Sequence, residues 1–455
     1  MINEVRLGSL IITLDVLLKM TLDVSFPKIE LFLPLITALA LIGTGWAADA
    51  APPRVAALVI DASYKDEDGI VGEIGRYREL VKKRFNVNLS LFWVPSDTRP
   101  EAIRKALNSL HKTNGITGAF LIGGFGFPIF KNECGDVSTM FSYYTDLDGE
   151  IRDTDGDGKF DFYNPWPDEG NGVVPVHEIW LAVLKPYYQS EGNKRTPEEI
   201  REYFAKVNAH LSGFVKKDDA KAAIFTSKDW GNLKHLNDAL EPIYADRIVQ
   251  RGGIGEDGKG IATDIDDFRH VLSQESEICF VYAHSGSSQH VLDGPPFPGN
   301  CILPGVLDYP GRPLLEDMKV NARILSIWGC HALDLQQIKY KDNRFLADSY
   351  LFTPRFRTQT ILGASRSIGL ASIETLVANG RNDCLAYAWH DYLNHCYSQD
   401  FLKEWLGVRG VWEKERNGFD WGYCIYGNPF DMLGVGMTNA EQDGGGQPAT
   451  RPESK

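Results

Sequence analysis

This chain has no excess of positive charge: 47 lysines and arginines stand against 61 aspartates and glutamates, a formal net charge of −14. A phosphate backbone would be repelled by that field, which excludes nucleic acid as a partner. Cysteine is scarce, with seven in 455 residues, too few for a disulfide scaffold. No Cys-x-x-Cys or His-x-x-x-His spacing points to zinc. No Gly-x-Ser-x-Gly elbow presents a serine nucleophile. The 44 glycines and 23 prolines follow no short period, so collagen-like, low-complexity and solenoid classes fall away. What remains is a globular composition, 43% hydrophobic and 24% charged, long enough for two domains or one large one.

The longest apolar run, Leu31 to Ala47, covers 17 residues. It is short for a bilayer span, and Pro34 interrupts it. Ala48-Asp49-Ala50 follows as a small-x-small pattern, so residues 1–50 are expected to be an export signal. The mature chain is then exported (periplasmic, cell-surface or extracellular), with no integral span left after signal removal.

Beyond the signal, buried-strand runs alternate with helical patterns. Val55–Ile60, Leu89–Val94 and Gly118–Ile122 read as parallel strands, with helices over 71–85 and from Pro100 to His111 between them. Ile179–Leu184 is another strand. Thr196-Pro-Glu-Glu199 is a capping box opening a helix to about Val215. The pattern then restarts. Strands are expected at Ala222–Thr226, Ile278–Ala283, Ile324–Trp328 and Thr360–Gly363. Helices are expected at Leu233–Tyr244, Ile265–Leu272 and, as one long element, 373–396. This predicts an α/β fold of two doubly wound, mostly parallel subdomains, 51–186 and 187–436, with a disordered tail over 437–455.

Two strands of the second half end on reactive residues: Phe280-Val-Tyr-Ala-His284-Ser-Gly286, and Ile324-Leu-Ser-Ile-Trp-Gly-Cys330. As neighbours in a parallel sheet they would deliver an imidazole and a thiol to one edge. A thiolate attacks and an imidazole handles protons, so the pair reads as a nucleophile and its acid/base. The other readings of these residues are a buried structural thiol with a core histidine, a zinc site built from Cys330, His331, His284 and His290, and a serine nucleophile among 285, 287 and 288. An unrelated metal-dependent hydrolase is a further reading of the whole chain.

The arrangement resembles the gingipain-type cysteine peptidases, relatives of caspases and legumain, whose hydrophobic blocks end in His-Gly and Ala-Cys. Further segments are similar in order along the chain: Ala119-Phe-Leu-Ile-Gly-Gly-Phe-Gly-Phe-Pro128, Phe141-Ser-Tyr-Tyr-Thr-Asp-Leu-Asp-Gly149, Val176-His-Glu-Ile-Trp-Leu-Ala-Val183, Ile361–Ser367 and Tyr426-Gly-Asn-Pro429. The resemblance implies caspase-like subdomains and an exported cysteine endopeptidase acting on protein or peptide substrates. It implies Cys330 as nucleophile, His284 as acid and base, and Glu178 as the acid that orients the histidine. The backbone N–H groups of Cys330 and Gly286 would hold the oxyanion. Ser285 is inserted before the glycine, Gly329 stands for alanine, and His331 follows the cysteine. Those departures leave a second implication, a catalytically inactive gingipain-like binding or surface-assembly module.

Asp153-Thr-Asp155-Gly-Asp157-Gly158-Lys159-Phe-Asp161 spaces carboxylates as a calcium loop does. Asp153, Asp155, Asp157 and Asp161 would be ligands, with the Lys159 carbonyl between the last two. Asn164 stands where a bidentate glutamate would complete an EF-hand. Calcium or a solvated acidic turn are the two readings; Asp146 and Asp148 form a second acidic pair nearby.

Overall fold

The computed structural model describes residues 52–131, 135, 137–164, 177–185, 197–213, 220–230, 233–293, 301–302, 314–335, 345–365, 373–396 and 423–434. The expected signal, the expected tail and the boundary near 186 lie outside the described residues. From Pro53 onward the chain forms one compact unit.

In chain order the first stretch holds β1 (Arg54–Asp61), α1 (Asp68–Phe85), β2 (Val87–Val94), α2 (Pro100–Asn114) and β3 (Ile116–Ile122). Two small hairpins follow, β4 (Ile129–Lys131) with β5 (Val137–Thr139) and β6 (Glu150–Arg152) with β7 (Phe162–Asn164), then β8 (Trp180–Leu184). The second stretch begins with α3 (Pro197–Gly213), β9 (Ala222–Thr226), α4 (Lys234–Tyr244), β10 (Ile248–Arg251), α5 (Ile265–Ser273) and β11 (Ser276–Tyr282). It continues with β12 (His284–Gly286), β13 (Gln289–Val291), β14 (Cys301–Ile302), β15 (Ala322–Trp328), α6 (Leu346–Phe352) and β16 (Thr360–Ala364). The last elements are α7 (Ile373–Gly380), α8 (Leu385–Cys396) and β17 (Tyr423–Gly427).

Strands from both stretches share one ten-stranded sheet, ordered β10-β9-β11-β15-β16-β17-β8-β3-β1-β2. Every neighbouring pair is parallel except β16–β17. That one antiparallel seam reverses the direction of the first-stretch strands relative to the second. The carboxyl ends of β9, β11, β15 and β16 therefore lie on the same edge as the amino ends of β17, β8, β3 and β1.

The apolar runs explain why the sheet forms where it does. β8, β11, β15, β16 and β17 are buried along their whole length, as strands covered on both faces must be. Each large aliphatic side chain removed from water there contributes about 1.5–3 kcal/mol. The helix expected over 373–396 is two helices, because Gly380-Arg-Asn-Asp383 forms a turn between them. Asn382 and Asp383 amides bond the Asn379 carbonyl at 2.9 and 3.0 Å. Among the described residues no helix is long and apolar enough to cross a membrane.

Candidate active site

β11 and β15 are parallel neighbours in register, Tyr282 opposite Trp328. The Tyr282 and Trp328 rings stack, with centroids 6.1 Å apart and planes within 10°, so both leave the same face of the sheet. His284 and Cys330 each lie two residues beyond this pair, past the last residue of β11 and of β15. Their strands are about 4.8 Å apart. Cys330 is half-buried and His284 exposed.

The two strand exits touch at Gly329. A Cβ built there would lie 2.3 Å from Ser285 Oγ and 2.5 Å from the Ala283 carbonyl oxygen. Two of the sequence departures thus belong together. The extra Ser285 fills the space beside position 329, and only glycine fits opposite it. Gly286 is different, since a Cβ there would meet nothing within 4 Å. It pairs with Gln289 at the tip of the β12–β13 hairpin.

His284 takes its partner from the neighbouring strand on the other side. After β9 the chain makes a single 3₁₀ turn, Lys228–Trp230. Asp229 Oδ2 in that turn is 3.2 Å from His284 Nε2. A carboxylate only accepts, so Nε2 carries the proton of this bond. The turn is itself held: Ser227 N–H donates to the Tyr282 carbonyl at 2.8 Å, and Lys228 N–H donates to Asp293 Oδ2 at 2.5 Å. The Trp230 ring lies 6.1 Å from the His284 ring. The sequence reading missed Asp229. Its signal was a carboxylate three residues past a buried strand, at the edge where ligands of such sheets bind.

Glu178 lies at the amino end of β8, on the same edge as Cys330 because of the seam between β16 and β17. It is three strand steps from β15, about 14 Å at the usual spacing. Its Oε2 accepts from the Leu147 amide at 2.6 Å, and its carboxylate gathers with Asp146 and Asp148. Burial raises Glu178 to about 8, with Asp146 and Asp148 adding repulsion; burial raises Asp146 to about 7. The geometry thus joins His284 to Asp229, and Glu178 to Asp146 and Asp148.

The remaining candidates separate. His290 is fully buried, bonded to Ser285 Oγ through Nδ1 at 2.8 Å and to Tyr350 Oη through Nε2 at 2.9 Å. Burial pushes it down to about 3, so it is neutral. The Ser285 hydroxyl donates to the Ala283 carbonyl at 3.1 Å, so His290 Nδ1 donates to Ser285 and does not serve as its base. Among the described residues, the acidic or His/Cys groups able to hold a metal are Asp146–Asp148–Glu178 and Asp153–Asp155–Asp157; neither includes Cys330. Cys279, Cys330, Cys384 and Cys424 are free thiols, and all but Cys330 are buried. Side chains of the other three cysteines lie outside the described residues.

The aspartate-rich segment is the exposed loop of the β6–β7 hairpin. Gly156 and Gly158 adopt left-handed backbone, φ +74° and +84°, which lets the loop coil around Asp153. Ligand atoms of Asp153, Asp155 and Asp157 come within 4.8 Å of one another. Asp161 instead accepts from the Thr154 amide and hydroxyl. Lys131 Nζ sits against Asp155 at 2.9 Å and Asp157 at 3.2 Å, and Lys159 against Asp157 at 2.8 Å. Those ammonium groups hold Asp157 below the usual carboxylate range.

No family model matches the sequence, and no curated protein matches it. Among solved structures the chain is similar to the Arg-specific cysteine proteinase gingipain R, at a TM-score of 0.50 and 9% identity over 85% of this chain and 79% of that one. At that identity the likeness carries the architecture: this chain has a mixed α/β, caspase-like gingipain fold.

Proposed function

We propose that this chain is an exported cysteine endopeptidase of the gingipain type, with Cys330 as nucleophile and His284 as acid/base. The observation that carries the reading is the contact of the β11 and β15 exits, with His284 already paired to an oriented carboxylate. The Cys330 thiolate attacks the scissile carbonyl, and backbone N–H groups of Cys330 and Gly286 receive the developing oxyanion. His284 gives a proton to the leaving amine, then takes one from the water that hydrolyses the thioester. Asp229, rather than Glu178, keeps the imidazole in the tautomer this needs. Substrates are proteins or peptides.

The test is digestion of denatured protein by the purified chain and by its Cys330→Ala form. Cleavage by the first and none by the second supports the reading; none by either is the outcome expected of an inactive binding module, and equal cleavage removes Cys330 as the nucleophile.

Calcium at the β6–β7 loop is the second part of the proposal. Asp153, Asp155 and Asp157 would hold it, with the Lys159 carbonyl, once Lys131 turns away; Asp161 would need to leave Thr154. Calorimetric titration with millimolar calcium gives heat if this is right, and none if the lysines are the loop's only cations.

A further inference from the structure

Three described non-glycine residues have positive φ: Asn86, Ala245 and His331. The first two cap helices α1 and α4. His331, at φ +57°, follows Cys330 directly. An L-residue keeps that conformation at a cost, so its surroundings must hold it.

The surroundings are specific. His331 Nδ1 is 2.9 Å from the Ser365 carbonyl, beyond the end of β16, and 3.6 Å from Asp334 Oδ2. The Asp334 amide returns to the His331 carbonyl at 3.1 Å, and the Leu333 amide bonds the Ala364 carbonyl at 2.9 Å. Asp334 is fully buried. Its Oδ1 accepts from the amide and hydroxyl of Thr139, at 3.1 and 3.0 Å. Ser365 Oγ donates to the Thr139 carbonyl at 2.5 Å. The turn after the thiol is thus knotted to β16 on one side and to β5, from the first stretch, on the other. The ring of His331 is the member of that knot closest in sequence to Cys330.

We propose that His331 is a positioning residue for Cys330. Its ring, anchored on Ser365 and Asp334, fixes the left-handed turn that sets the thiol and its amide N–H at the end of β15. Glycine would adopt this backbone freely, so the conformation alone does not need a histidine; the anchor does. The inference rests on the peptidase reading, but it concerns the placement of the thiol and is testable apart from hydrolysis.

The experiment measures the rate of Cys330 alkylation by iodoacetamide, with the site read by peptide mass mapping and folding checked by thermal midpoint. The forms are wild type, His331→Ala, His331→Gly and His331→Asn. A loosened anchor misplaces the thiol, so alanine and glycine should each slow alkylation by about tenfold or more. Asparagine tolerates left-handed backbone and offers an N–H to Ser365, so it should recover the rate to within about threefold. Wild-type rate in the glycine form, or in all three, overturns the proposal. The comparison is a ratio to wild type. A wild-type rate no faster than that of a cysteine peptide counts against the dyad, while the ratio still decides this inference.

Discussion

β15 carries ionisable groups at both ends, and the two ends are built on opposite principles. At its start Arg323 is 2% exposed. It donates to Glu277 at 2.6 Å and to Asp431 at 2.9 Å. Glu277 also accepts from Tyr244 Oη and the Gly434 amide, and His210 faces Asp431 at 3.6 Å. Taking such charges out of water costs several kcal/mol per ion, offset only by complete pairing. At its other end Cys330 is half-buried, and the His284–Asp229 pair beside it has both side chains 54% exposed. There the imidazole and its carboxylate stay wet. The closed end fixes the register of β11, β15 and the segment after β17. At the open end the His284–Asp229 pair stays in water, while the turn after Cys330 is anchored on the buried Asp334, Ser365 and Thr139.

The comparison breaks first at the closed end. Arg323→Leu leaves Glu277 and Asp431 buried without their cation, and should cost about 3–5 kcal/mol in urea unfolding. Catalytic activity per folded molecule should stay near wild type at low temperature. Unchanged stability would mean that the ion group does not hold the register.

Gly329→Ala tests the contact between the two exits. The added methyl meets the Ala283 backbone oxygen, which cannot swing away as a side chain can. Overpacking of this kind costs about 1–3 kcal/mol, and hydrolysis should fall more than the stability does, because the displaced strands carry His284 and Cys330. Full activity in this variant would argue against a tight fit there.

The Asp146–Asp148–Glu178 group lies on the same edge and is graded, with Asp146 buried, Glu178 half-buried and Asp148 exposed. Glu178 is raised by burial from 4.5 to about 8, so the folded state holds more protons than the unfolded one between those values. Its contribution to stability is complete below the lower value and is lost as pH rises through the upper. The urea midpoint should therefore fall between about pH 5 and pH 9, and less steeply in Glu178→Gln. Parallel pH profiles for the two forms would contradict this. Asp229→Asn should have the smallest effect, because an exposed ion pair is worth at most about 1 kcal/mol. A loss in kcat/KM of about fivefold or less is expected; a thousandfold loss would show that the pair is desolvated during the reaction.

Much of the sheet was legible because its strands are continuous apolar runs bounded by glycine or a polar residue. Ala222–Thr226 appears at its predicted limits, and Ser276–Tyr282 and Ala322–Trp328 within two residues of theirs. The placement of β17 was not legible. Tyr423–Gly427 is five residues long, and its position between β16 and β8 depends on partners far away in sequence. The antiparallel seam it creates decides that Glu178 shares an edge with Cys330, and also that it stands three strands away. Asp229 escaped notice for the same reason. It meets His284 across 55 residues of sequence, through the exits of adjacent strands rather than through any motif. The steric fit of Ser285 against Gly329 was visible only as two separate departures from a pattern.

The central claim is that His284 and Cys330 act on each other. Alkylation of Cys330 by iodoacetamide in wild type and in His284→Ala reads this most directly. A wild-type rate well above that of a cysteine peptide, falling by about a hundredfold without the imidazole, is the predicted result. Equal rates in the two forms would contradict it.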